Sequence, residues 1–314
     1  MIKYLLSRIL QSIFTLFIVI TIVFVLMRFM PVEGYLGEGY DKLDQVQKEI
    51  ILENLGLRDP IHIQLSKFYN RLIKGDLGVS ITYRPGVPVA DILKGKIPYS
   101  LGIGMASLAI SFVAGIKLGT VMAEDLGKML NRLGNLYIIL VNAVPAAIYY
   151  IFLQFYLTDI FKLPMLFYVD KPISWILPIL SLSLGTTASY ALWMKRYMAD
   201  ELNKDYVKLA ISKGMPMKDV IKKHVFLNAF VPMVQYLPAS ILFTISGSIY
   251  IESLYSIPGM GGLLVEAIQR QDTPLVEAIV LIYSFMGIVG MFFGDIFMVM
   301  LDPRIRLGKS EGRV

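Results

Sequence analysis

Asp205 to Pro232 reads DYVKLAISKGMPMKDVIKKHVFLNAFVP, a stretch that begins charged and amphipathic and runs into apolar sequence at HVFLNAFVP. It lies between two hydrophobic runs. Of the 314 residues 56% are hydrophobic, and the mean hydropathy is +0.63, above the roughly 45 to 50% apolar share of a soluble domain. The chain reads as a membrane protein, and a polar segment between two membrane runs marks a surface made for something other than lipid.

A spanning helix needs about 20 mostly apolar residues. Six segments qualify: Ile9 to Met30, Tyr99 to Ala123, Asn135 to Thr158, Ile173 to Trp193, Val225 to Tyr250 and Pro274 to Leu301. The first is long for a signal peptide, and MRFMPVEGY after it offers no small-residue cleavage site, so it reads as a retained helix. The fold class expected is an all-α membrane protein, one transmembrane domain over residues 1–314. Pro145, Pro178 and Pro238 are expected to kink their helices.

The net charge is +6, but Lys and Arg are dispersed among loops and no nucleic-acid motif accompanies them, so no nucleic-acid partner is expected. Topology accounts for them instead. Lys3, Arg8, the 194–224 loop and the tail DPRIRLGKSEGRV are rich in Lys and Arg, which places both termini and that loop in the cytoplasm. Residues 31–98 then lie outside, where LDQVQKEIILENLGL and PIHIQLSKFYNRLIKGDLG repeat apolar positions at helical spacing before Gly56 and Gly75. They predict two short helices forming a cap on the outer face. The first carries Leu43, Val46, Ile50, Ile51 and Leu55 as its stripe.

Within 194–224, Ala199 to Ser212 has no Pro or Gly, and Leu202, Tyr206, Leu209, Ala210 and Lys213 make one stripe. Gly214 supplies a left-handed stop, and Pro216 opens a stub helix, PMKDVIKKH. Acids on both faces (Asp200, Glu201, Asp205, Asp219) would sit poorly on anionic lipid. A docking site for a cytoplasmic partner fits better.

At these residues the chain resembles the permease subunits of peptide-type ATP-binding-cassette importers, the first of the two permeases in oligopeptide, dipeptide and nickel systems. DYVKLAISKG is similar to the family's cytoplasmic signature through Asp205, Tyr206, Val207, Ala210, Lys213 and Gly214, and HVFLNAFVP through His224, Asn228 and Pro232. LGLRDPI, GDLGVS, IYIESLYSIPGMGGLL and DPRIR follow in register. The chain departs from the pattern at MPVEGY, after the first span, and at Lys208, where the signature opens with an acid.

The resemblance implies a type I importer permease with six transmembrane helices in a bacterial inner membrane. An extracytoplasmic insertion follows the first helix, and a cytoplasmic coupling helix lies between the fourth and fifth. It implies that Asp205, Tyr206, Ala210, Lys213, Gly214 and His224 couple to an ATPase, and that Glu252, Pro258 and Gly259 lie near the translocation path. The implied partners are a second permease, two ATPase subunits and an extracytoplasmic binding protein. ATP and Mg belong to the ATPases, and this chain is expected to hold no cofactor. Peptides are the expected substrate, with nickel chelates or another small solute as the alternative on this scaffold, and a stand-alone secondary transporter or channel as the rival.

An enzyme is not expected. GKS at Gly308 to Ser310 has Pro303 where a P-loop needs its first Gly. FFGDIF has Phe292 where a Gly-x-Gly-Asp protease motif needs Gly, and His62 and His224 are the only histidines. Lys117 and Asp295 are the charges at membrane depth. GIKLG and GMFFG, Gly115 with Gly119 and Gly290 with Gly294, mark close helix approach.

Overall fold

The computed structural model describes residues 2–29, 33–36, 40–54, 56–124 and 127–301. Apart from one bridge between Val79 and Pro88, the regular structure among the described residues is helical. Five helical stretches are long and apolar enough to cross a bilayer: Ile9–Met27, Val89–Glu124, Pro172–Leu202, Met217–Ser246 and Thr273–Gly294. They are the first, second, fourth, fifth and sixth spans. The tail DPRIRLGKSEGRV, on which the orientation of the C-terminus rests, lies outside the described residues, as do the side chains of Lys3, Arg8 and Asp295.

The third expected span is broken. Met129–Ala143 and Ala146–Phe161 are bent by 109°. Val144 is extended, with φ −90° and ψ 128°, because the ring of Pro145 crowds the preceding residue out of the helical region. The two halves still pack along the bundle. Asn135 meets Lys195 at 2.9 Å near the end of the fourth span, the Tyr137 hydroxyl donates to the Leu184 carbonyl at 2.7 Å, and Gln154 reaches the Leu254 carbonyl at 3.1 Å. Pro178, by contrast, lies in the first turn of helix Ile176–Leu202 and does not kink it. Pro238 opens helix Leu237–Phe243, just after the turn at Tyr236.

Small residues set the closest packing. The second and fourth spans run parallel, and a Cβ on Gly115 would lie 2.5 Å from the Tyr190 Cβ, one on Gly119 2.6 Å from the Ala191 carbonyl oxygen. The sixth span meets the fifth in the same way, with Gly290 against Ala239 and Gly294 against Gln235. Such seams replace the hydrophobic drive that lipid removes.

The insertion contains helices Gln45–Asn54 and Ile61–Ile73, and both Gly56 and Gly75 have positive φ. It packs against the first span. Phe68 packs on Phe24 with ring centroids 4.9 Å apart, and Tyr69 stacks on Phe17 at 5.3 Å, so the second helix packs along the first span from Phe17 to Phe24, about 10 Å at 1.5 Å per residue. The stripe expected on the first helix holds only in part: Leu43 and Ile51 are half-buried, and Leu55 lies outside the described residues. Val46 and Ile50 are exposed, and Leu52 is the buried residue.

Residues 203–216 form the opposite end of the bundle. The helix expected over 199–212 is two pieces, because the fourth span ends at Leu202 and Asp205–Ser212 is separate, with Lys204 extended between them. Gly214 has φ +82°. The expected stub is no free helix: Met217–Val220 leads through a π-turn, Ile221–Val225, into the fifth span.

Candidate functional site

Two cavities lie against the fourth and fifth spans, the first of them also bordered by the second span. One, of about 290 Å³, is lined by Ser100, Ser107, Thr186, Ser240, Thr244 and Ser248 among apolar neighbours. The other, of about 380 Å³, is lined by Tyr190, Trp193, Tyr197 and Tyr236. They share Thr186 and Ser240, so the two adjoin, and together they make up the groove. Ser240 and Thr244 donate to the carbonyls of Tyr236 and Ile241, at 3.0 and 2.6 Å. Each hydroxyl is thereby satisfied in the fold and still offers lone pairs to a visitor. The wall is mostly apolar, studded with hydroxyls and uncharged save for Glu252.

Glu252 is 4% exposed, and its charge is already used. Its Oε1 accepts from the Ser100 hydroxyl at 2.6 Å, and its Oε2 from the N–H groups of Gly261 and Gly262 at 2.7 and 3.1 Å. Burial pushes its pKa up, opposed by these donors. Glycine builds the cradle. Gly247, at φ +69°, has no room for a Cβ, which would lie 2.0 Å from Oε1; a Cβ on Gly259 would lie 2.4 Å from the carboxyl carbon. The loop ESLYSIPGMGG is therefore wrapped on its own carboxylate. With Pro258 and Gly259, Glu252 also borders an open polar cavity of about 380 Å³ at the insertion end.

Asp272 makes a second clamp nearby in the chain. It is 0% exposed, and its Oδ2 accepts from the Ser80 hydroxyl and from the N–H groups of Ile81, Thr82 and Tyr83, the last three at 3.1, 3.0 and 2.8 Å. The Leu275 N–H reaches Oδ1 at 3.3 Å, which caps the sixth span. This carboxylate ties the return of the insertion to the bundle. Sequence reading missed it, although Asp272 before Thr273-Pro274 is a legible cap position.

At the Gly214 end, Val207 is the residue of Asp205–Ser212 that is fully buried, beside half-buried Tyr206 and Ala210. Tyr206 donates to Glu201 and receives a bond from Asn228 at 3.2 Å, which fixes the short helix to both adjoining spans. Leu209, Ile211 and Met217 are 55%, 47% and 47% exposed. The expected stripe is thus split, with Leu209 and Lys213 outward and Val207 taking the inner place. Asp205, Lys213, Gly214 and His224 are all exposed. Among the described residues no group of three His, Cys, Asp or Glu side chains is placed to hold a metal ion.

A chain with at least five helices long and apolar enough to cross a bilayer, a hydroxyl-studded groove between them and a folded hairpin at one end has the build of a membrane transport component. Residues 115–307 match the family described as binding-protein-dependent transport system inner membrane component, and residues 1–98 match its N-terminal family. The chain belongs to this family, the membrane permeases of ABC importers. It is 29% identical to the dipeptide transport system permease protein DppB of Lactococcus lactis, over 98% of this chain and 100% of that one. It is likewise 29% identical to DppB of Bacillus subtilis, over 99% and 100%. The glutathione transport system permease protein GsiC of Escherichia coli K12 is 28% identical, over 98% and 99%.

Proposed function

We propose that this chain forms, with a second permease, the path by which an ATP-driven importer carries short peptides delivered by an extracytoplasmic binding protein. The groove is the observation that carries this reading. Its hydroxyl wall offers hydrogen bonds to a peptide backbone, which is common to all peptides, and its aromatic stretch accepts varied side chains without reading one charge. The relatives named for dipeptide and glutathione transport support the same substrate class. In this reading the insertion end is extracytoplasmic and the 203–216 hairpin is cytoplasmic. Leu209, Ile211 and Met217 then form the apolar contact that seats in an ATPase, with Asp205, Tyr206, Ala210, Lys213, Gly214 and His224 holding or flanking it.

Cysteines introduced one at a time test both orientation and path. Lys48→Cys labels from outside and Lys218→Cys only from inside. Ser107→Cys, inside the groove, reacts with a small thiol reagent, and a transported dipeptide slows the reaction. Reversed labelling overturns the topology, and a Ser107→Cys rate indifferent to dipeptide overturns the path.

A further inference from the structure

A separate pocket of about 120 Å³, several times the roughly 30 Å³ share of a water, lies between the first span, the sixth span and the insertion, with Arg28, Tyr35, Arg71, Asp76 and Glu277 on its wall. Glu277 is 8% exposed, and its buried Oε1 has no hydrogen-bond partner among the described residues. A buried carboxylate oxygen left without a donor is costly. Arg28 and Arg71 are the cations whose field reaches it. Arg28, however, is turned to neutral acceptors: its Nε donates to Gln64 at 2.8 Å and its Nη1 to the Tyr35 hydroxyl. Arg71 is exposed at the rim.

A lone cation in this pocket would face two arginines, and a lone anion would face the carboxylates of Glu277 and Asp76. A ligand carrying both charges avoids both penalties. We propose that the pocket binds a small zwitterionic head, its ammonium donating to Glu277 and its anionic oxygens accepting from Arg71 and Arg28. The source is either a phosphoethanolamine lipid headgroup or a free amino-acid-like zwitterion. The apolar residues Ile18, Ile22 and Leu26, exposed along the neighbouring first span, give a lipid a surface for its acyl chains.

Native mass spectrometry of the full-length protein, released from micelles doped equally with phosphatidylethanolamine, phosphatidylcholine and phosphatidylglycerol, tests the lipid source. Choline has no N–H to donate, and glycerol has no ammonium. Retention of phosphatidylethanolamine about tenfold over the other two is expected, the worth of one hydrogen bond to a charged group, and Glu277→Gln and Arg71→Gln each abolish the preference. Glycylglycine tests the free source: a rise in the thermal midpoint of the wild type, absent in Glu277→Gln, assigns the pocket to a free zwitterion. Equal retention of the three lipids together with no response to glycylglycine overturns the proposal. Should Glu277→Gln not be recoverable, Arg71→Gln decides both arms, because Arg71 is exposed and its loss leaves the fold intact. An unchanged preference or response in that variant overturns the assignment.

Discussion

At the insertion end of the groove, Glu252 and Asp272 are buried, at 4% and 0% exposure, and each carboxylate collects several donors from distant loops. At the Gly214 end the ion pairs Lys204–Glu201 and Lys208–Asp205 lie at the surface, Gly214 would place a Cβ in open space, and three large apolar side chains face outward. Exposed pairs of this kind contribute about 0 to 1 kcal/mol, whereas leaving one buried donor unpaired costs about 1 to 3 kcal/mol. One end is therefore complete within this chain, and the other is built to be completed by something else. Substitutions at the first should act on stability, and at the second on assembly.

Asp272→Ala should produce the largest effect. It leaves one hydroxyl and four N–H groups without their acceptor, so at about 1 kcal/mol each the loss is roughly 5 kcal/mol. The checks are the thermal midpoint of the purified protein and protease cutting within 79–88. An unchanged midpoint would mean that the two ends do not differ as argued.

Gly259→Ala comes next, because its Cβ meets the Glu252 carboxyl at 2.4 Å. Overpacking of this kind costs about 1 to 3 kcal/mol. Gly262→Ala, with nothing within 4 Å of the added Cβ, is the internal control and should be near neutral in the same melting experiment.

Gly214→Val puts a β-branched residue at φ +82°, which strains the backbone by about 1 to 2 kcal/mol without any steric collision. Membrane insertion should survive and peptide uptake should be lost. Normal uptake in this variant would remove the hairpin from the mechanism.

The smallest change in stability, with the sharpest change in assembly, is expected for Leu209→Asp. An exposed substitution should shift stability by no more than about 0.5 kcal/mol, yet copurification of the ATPase should fall away. Lys222→Gln, exposed on the first turns of the fifth span, should leave both measurements unchanged.

Much of this was legible because it is local. Hydropathy placed the crossings, since the bilayer imposes a length on each apolar run. Gly56, Gly75 and Gly214 were readable as stops and all have positive φ, because only glycine enters that region without strain. The break at Val144–Pro145 was half legible: proline announced a disturbance, but the 109° bend depends on what the two halves pack against. The stripe on Asp205–Ser212 was misread in part. Periodicity gives the spacing of apolar residues but not which of two adjacent apolar faces meets the bundle, and Val207 rather than Leu209 turned inward.

The sequence by itself determined the membrane class, the apolar runs, the glycine stops and the family to which the chain belongs. Tertiary structure decided the carboxylate clamps, the groove and the Arg28, Arg71 and Glu277 pocket. Ser100 and Glu252 are 152 positions apart, and Ser80 and Asp272 are 192 apart. No periodicity or local propensity connects residues at such distances, and a lone Glu or Asp reads the same whether it meets water or a cradle of N–H groups. Only the fold brings donors and acceptor into one buried volume, where an unmade hydrogen bond becomes costly enough to fix the arrangement.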